Sequence, residues 1–217
     1  MQTSNLLIVD DHRVFGQGLE AVFAAEPDFE PLAISNPDQV LGLVAAWRPD
    51  VVMMDLRLGE VSGVDLTRQI TALPSPPAVV VLTAYADIAA ALDAIRAGAV
   101  GFVAKNASVE QVISAARAAV LGGSWLPREL LGRLVAEYAE PAGAPQLIAQ
   151  LTPREHQVLS LMVSGLDRSG IAEKLHQSPN TVRTHIRNVI VKLDCHSAIE
   201  AVAVGLKAGL RPEYRRE

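Results

Sequence analysis

The sequence predicts an α/β domain of five strand–helix repeats, doubly wound with the flavodoxin-like strand order, followed by a small all-α domain. Three observations carry this. Short Val-, Ile- and Leu-rich runs alternate with amphipathic stretches through the first 120 residues, as buried parallel strands alternate with crossover helices. The small size of that repeat block favours the flavodoxin-like order. Beyond residue 145 the chain reads as four short helices, with nothing strand-like.

The expected strands are 5–10, 29–34, 51–55, 78–83 and 100–105, and the expected helices 12–26, 36–47, 62–72, 87–97 and 108–121. Arg48-Pro49 closes the second helix, because proline cannot continue it. Gly98 and Gly122 stand where helices are usually stopped. Residues 124–140 form a further amphipathic stretch, with Leu126, Leu130, Leu131, Leu134 and Val135 on one side. The segment Glu140-Pro141-Ala142-Gly143-Ala144-Pro145 is a linker by composition.

The helices after the linker carry their own start signals. Thr152, Pro153 and Glu155 form a capping box with proline in the first turn, and Val158, Leu159 and Met162 supply a buried face that ends at Gly165. A short helix with Ile171, Ala172 and Leu175 follows. Ser178-Pro179 starts a third, which runs to about Leu193. Two helices joined by a tight turn make a helix-turn-helix. On the third, Val182, Ile186, Val189 and Leu193 form one buried stripe. The opposite face carries Asn180, Arg183, Thr184, Arg187, Asn188 and Lys192, basic and amide groups suited to a major groove. The last helix, about 197–209, is apolar on most of its surface, interrupted by Glu200 and Lys207.

Composition narrows the class. The chain has 217 residues, is 50% hydrophobic and 20% charged, and so has the apolar content of a folded protein. Aromatics are only 4%, so the core is expected to be built from small side chains. The one cysteine, Cys195, excludes an intrachain disulfide and reads as a small buried residue. No apolar run approaches a membrane span, and the opening stretch lacks a basic leader, so the expected setting is the cytoplasm. Residues 1–140 hold 17 acids and 9 bases, whereas residues 141–217 hold 7 acids and 10 bases. An acidic first part and a basic second part imply different partners, nucleic acid for the second.

In an open α/β sheet, ligands bind beyond the carboxyl ends of the strands. Those ends carry Asp10-Asp11, Asp55, Thr83 and Lys105, which should converge on one rim. Three carboxylates repel one another, and a hard divalent cation relieves that repulsion; Mg²⁺ suits a site with few carboxylates and room for other oxygens. A lysine and a hydroxyl opposite them can bind phosphoryl oxygens, and a carboxylate can carry an acyl phosphate. His12 reads as a loop residue, since the carboxylates suffice for Mg²⁺.

Asp10-Asp11, Asp55, Gly63, Thr83-Ala84, Phe102 and Lys105, in this order, resemble the receiver domain of two-component response regulators. The resemblance implies that Asp55 accepts a phosphoryl group from a sensor histidine kinase. It implies that Asp11, Asp55 and the Arg57 carbonyl ligate Mg²⁺, that Asp10 helps through water, and that Lys105 holds the phosphoryl group. Thr83 and Phe102 would be the switch pair. Two positions depart from the pattern: Gly59 replaces the usual proline of a Met-Pro step, and Gly16 a common arginine.

The second part is similar to the LuxR-type DNA-binding domain, through Leu151-Thr152-Pro153-Arg154-Glu155, Gly165, Ile171-Ala172, Thr181-Val182-Arg183-Thr184-His185, Asn188, Lys192-Leu193 and Glu200-Ala201. Together the two parts have the architecture of NarL/FixJ response regulators. The resemblance implies that Arg183, Thr184 and Arg187 approach bases, with His185, Asn188 and Lys192 nearer phosphates. It places a dimer contact on the last helix, at Ile199, Val202 and Leu206. Here too residues depart: Asp167-Arg168-Ser169-Gly170 precedes Ile171, His176 replaces the turn glycine, and Gln177 an apolar residue. Gly170 should weaken its helix by about 1 kcal/mol relative to alanine.

The expected organisation is a receiver over 1–122, an amphipathic helix and linker over 123–149, and a helix-turn-helix domain over 150–217. The expected protein is a transcription regulator and not an enzyme. It would bind a two-fold operator, as a homodimer when phosphorylated. Two alternatives stay open. One is the same architecture working without phosphorylation. The other is an aspartate-nucleophile phosphatase or phosphotransferase, although that chemistry usually needs a second acid where Arg57 stands.

Overall fold

The computed structural model describes residues 3–83, 88–126 and 147–211. It divides into two compact units, Met1–Val120 and Leu121–Glu217.

In the first unit, β1 (Ser4–Val9), α1 (Arg13–Ala24), β2 (Phe29–Ile34), α2 (Val40–Trp47), β3 (Val51–Asp55), β4 (Arg57–Leu58), β5 (Val61–Ser62), α3 (Gly63–Thr71), β6 (Ala78–Thr83), α4 (Ile88–Arg96), β7 (Gly101–Ala104) and α5 (Val109–Val120) follow in order. Five strands form a parallel sheet in the order β2-β1-β3-β6-β7. This is the expected doubly wound arrangement. Each expected strand is present within one residue at either end. The central runs Leu6–Val9, Val51–Met54 and Val79–Leu82 have no exposed surface, which is why they read as continuous apolar stretches. On one face Leu7, Val9, Val52, Met54 and Val79 pack with Val40 and Val44 of α2 and Leu66 and Ile70 of α3. Elsewhere close packing rests on small side chains, such as Ala115, Ala116 and Ala119 of α5.

Two local features differ from expectation. The segment 36–47 is a 3₁₀ turn, Pro37–Gln39, capped by the Asn36 side chain, and only then α2. That helix stops at Arg48 in the left-handed region (φ 51°), because the following proline disfavours helical geometry there. After β3, a small antiparallel hairpin pairs β4 with β5 and turns at Gly59 (φ 66°). Strands of two residues have no periodicity to read.

The second unit contains α6 (Pro153–Val163), α7 (Arg168–Lys174), α8 (Pro179–Lys192) and α9 (Ala198–Lys207). Thr152, Asp167, Ser178 and Ser197 cap them, each side chain accepting from the backbone N–H three residues on. The capping box of Thr152 and Glu155 is complete. Gly170 has a compensation that its propensity hides: its N–H reaches Asp167 Oδ1 at 2.7 Å, and a Cβ there would lie 3.1 Å from that oxygen. A cap of this kind is worth about 1 kcal/mol, similar to the glycine's cost.

The four helices also stop alike. After each, a residue with positive φ follows the helix: Gly165, His176, Asp194 and Gly209. The next residue's N–H returns to the carbonyl five back, as in Gln177 N to Ala172 O at 2.9 Å. These are Schellman motifs. The helices enclose two adjoining cores, one around Leu159, Val163, Val189, Leu193 and Val204, the other around Val158, Ile171, Ala172 and Val182. The amphipathic stretch beyond Leu126 and the linker at 140–145 lie outside the described residues. Among the described residues, no helix is long and apolar enough to cross a membrane.

Candidate functional site

The strand ends do converge. Asp10 follows β1, Asp55 ends β3, Thr83 ends β6, and Lys105 follows β7; Asp10, Asp55 and Thr83 are buried. The Lys105 ammonium sits between two carboxylates, 2.6 Å from Asp10 Oδ2 and 2.7 Å from Asp55 Oδ2, and 4.9 Å from the centre of the Phe15 ring. Backbone donors hold the other oxygens: His12 N to Asp10 Oδ1 at 2.9 Å, and Arg57 N to Asp55 Oδ1 at 3.3 Å.

Asp11 is more exposed and is held from two sides. Gly59 N donates to its Oδ2 at 3.1 Å, and His12 Nδ1 lies 2.7 Å from its Oδ1. The Gly59 departure therefore supplies a donor that proline lacks. The close turn into α3 depends on Gly63, where a Cβ would fall 2.0 Å from the Asp55 carbonyl oxygen.

Burial pushes the Asp55 carboxyl above the ordinary carboxylate range; the Lys105 ammonium works against this, while the Asp10 charge adds to it. Lys105 is likewise raised: burial opposes its charge, but the two carboxylates outweigh burial. A single lysine thus faces the crowded acids.

The residues fit a divalent cation. Asp10, Asp11, His12 and Asp55 each offer a ligand atom, all within 4.8 Å of one another. Asp10 Oδ2 is buried and, beside its ion pair with Lys105, makes no directed hydrogen bond. His12 is a loop residue, as expected, and its ring also reaches this cluster. Phe102 is buried on β7, two residues before Ala104, the register partner of Thr83. Phe102 and Thr83 therefore lie on one face of the sheet. Ala84 lies outside the described residues.

In the second unit, α8 shows the expected division. Val182, Val189 and Leu193 are buried, with Ile186 half-buried. Asn180, Arg183, Thr184, Arg187 and Asn188 are exposed, and His185 is half-buried. Lys192 is half-buried. Its ammonium is 2.7 Å from Glu155 Oε2, an oxygen that also accepts from Thr152 N at 2.8 Å. Burial would raise the Glu155 carboxyl, but Lys192 and the Thr152 donors overcome it and hold it down at about 2. The capping box made half of this arrangement legible; the lysine 37 residues away has no sequence signal.

On α9, Ile199 is only 2% exposed. Val202 and Leu206 are half-buried and pack against the core around Leu159 and Leu193. Both keep part of their surface exposed.

The chain is similar to known proteins. Residues 6–117 match the family described as response regulator receiver domain, and residues 149–204 match bacterial regulatory proteins of the luxR family. The chain is 31% identical to the transcriptional regulatory protein LiaR of Bacillus subtilis, over 90% of this chain and 93% of LiaR. It is 28% identical to the transcriptional regulatory protein DegU of Brevibacillus brevis, over 94% and 93%. Among solved structures, the RcsB response regulator of Salmonella typhimurium shares the fold, with a TM-score of 0.56 at 20% identity over 92% of this chain and 98% of that one.

Proposed function

The chain belongs to the response regulators that join a receiver domain to a LuxR-type DNA-binding domain, and so is a transcription regulator; we propose that a phosphoryl group on Asp55 controls its binding to DNA. The observation that carries the proposal is the buried Asp55 carboxylate at the end of β3, 2.7 Å from Lys105 and gathered with Asp10 and Asp11.

In this reading an Asp55 oxygen attacks phosphorus, and the phosphorus–nitrogen bond of a phosphohistidine on a sensor kinase breaks. Asp11, Asp55 and the Arg57 carbonyl would hold Mg²⁺, with Asp10 acting through water. Bound there, Mg²⁺ would offset negative charge on the phosphoryl oxygens. Lys105 turns from its carboxylates to the incoming oxygens. The Thr83 hydroxyl follows, and Phe102, on the same face, shifts with it. No catalytic role on another substrate is assigned, and self-hydrolysis of the acyl phosphate is the most the site performs.

The output is read by α8. Arg183, Thr184 and Arg187 face bases, and His185 and Asn188 lie nearer phosphates. DNA interaction named for RcsB supports this use of the shared fold. Val202 and Leu206, at the edge of the core that contains α9, pair two chains on a two-fold operator, with half-sites about one helical turn apart or closer. Such pairing raises effective concentration, typically by a factor of about 10²–10⁴ in affinity. The setting is the cytoplasm, where the DNA lies.

The test is incubation with acetyl phosphate and Mg²⁺, read by intact mass. One phosphoryl group should add to the parent and none to Asp55→Asn. Labelling that persists in the variant refutes the assignment, and a parent that never labels favours the same architecture working without phosphorylation.

A further inference from the structure

We infer that Lys192 is a positioning residue and not a DNA contact: paired with the shielded Glu155 carboxylate, it fixes α8 against the start of α6 and so sets how Arg183 and Arg187 meet the groove. The inference rests on the DNA-binding reading of α8.

Four observations carry it. The Glu155 side chain is 4% exposed, and its Oε2 takes both Lys192 Nζ at 2.7 Å and Thr152 N at 2.8 Å. The pair also joins helix ends of matching polarity. Glu155 lies in the first turn of α6, and Lys192 is the last residue of α8; a negative charge at a helix start and a positive charge at a helix end are both favoured. Third, the outward line of α8 runs through Thr184, Arg187 and Val191, and Val191 is 69% exposed. Lys192 is turned about 100° from Val191 and lies one turn beyond Asn188, on the side of the helix nearer α6. The cation nearest that end is 35% exposed, and its ammonium is drawn onto the Glu155 carboxylate. Finally, Arg154 Nη2 donates to Leu175 O at 2.9 Å, tying the start of α6 to the end of α7. The first turn of α6 thus holds both helices of the helix-turn-helix.

A lysine that stays on its carboxylate in the complex neutralises no phosphate and releases no counterion from DNA. It should contribute nothing to the salt dependence of binding, where each phosphate contact contributes about 0.9 to the slope. Its loss should instead tilt α8 and blunt base preference, because an unpaired carboxylate would remain in the shielded site.

The experiment uses the full chain and two 30-bp duplexes, one selected by the parent from a random pool and one scrambled, titrated between about 50 and 200 mM salt. The variants are Arg187→Met, Lys192→Met, Lys192→Arg and Glu155→Gln, each checked by circular dichroism. Arg187→Met should lower the salt slope by about 0.9. Lys192→Met should leave the slope unchanged while the ratio of selected to scrambled affinity falls about tenfold. Glu155→Gln should do the same, the double variant should be no worse than either single one, and Lys192→Arg should restore the ratio. A slope that falls in Lys192→Met as in Arg187→Met overturns the inference. So does a Glu155→Gln chain with undiminished specificity. Should Lys192→Met not fold, amine acetylation of the parent decides: Lys192 should react slowly with and without DNA, and protection only by DNA overturns the inference. A parent that binds neither duplex refutes the underlying DNA-binding reading instead.

Discussion

Cys195 shows how far a single residue's chemistry is set by its surroundings. It lies between α8 and α9, half-buried, with Sγ 3.5 Å from Leu193 O. Burial, then the charges of Glu200 and Asp194, push its thiol up to about 12. Only the thiolate attacks electrophiles, so at pH 8 very little of the native chain is reactive at any moment. Iodoacetamide should therefore label the native chain at least about a hundredfold more slowly than the chain in guanidinium, with a rate still climbing at pH 10. A native rate equal to the unfolded one would show an ordinary thiol. At this scale the acidic rim was legible in the sequence, because Asp10, Asp55 and Lys105 take their place from strand ends that apolar runs announce. His12 and the Glu155–Lys192 pair were not, since their meaning comes from neighbours that periodicity cannot bring together.

At the scale of elements, start and stop signals explain why the helices were readable, and His176 is the point of tension. The turn after α7 needs a left-handed residue, and histidine supplies it at φ 52°. An L side chain pays about 1–2 kcal/mol there, of which glycine's greater freedom when unfolded returns part. His176→Gly should raise the stability of the second unit by about 0.5–1 kcal/mol, measured by urea unfolding, with its helical signal unchanged. Unchanged or lower stability would mean that the imidazole makes compensating contacts. The hairpin from Arg57 to Ser62 was illegible for a different reason: it is too short to carry a pattern, and its sign is one glycine at its tip.

The whole molecule carries its charge unevenly. Residues 1–140 have 17 acids against 9 bases, and residues 141–217 have 7 against 10. The acidic part is tethered to any DNA the basic part holds. A fragment of residues 147–217, which retains both cores of the second unit, should bind a random duplex more tightly than the full chain at 20 mM salt. The difference should fade by about 0.3 M, where screening lengths fall well below 10 Å. Fluorescence anisotropy at the two salts checks this; a difference independent of salt would point to steric blocking instead of charge.

Schellman stops at Gly165, His176, Asp194 and Gly209, together with side-chain caps at each start, give the second unit instructions that act over five or six residues. Assembly guided by such local contacts spends little entropy on closing long loops, and helical domains of this kind fold in microseconds to milliseconds. The first unit must instead join strands far apart in sequence, such as Leu6 beside Val51, a slower search. In stopped-flow refolding the chain should therefore recover its helix-turn-helix before its sheet, the unit with the shorter-range contacts maturing first.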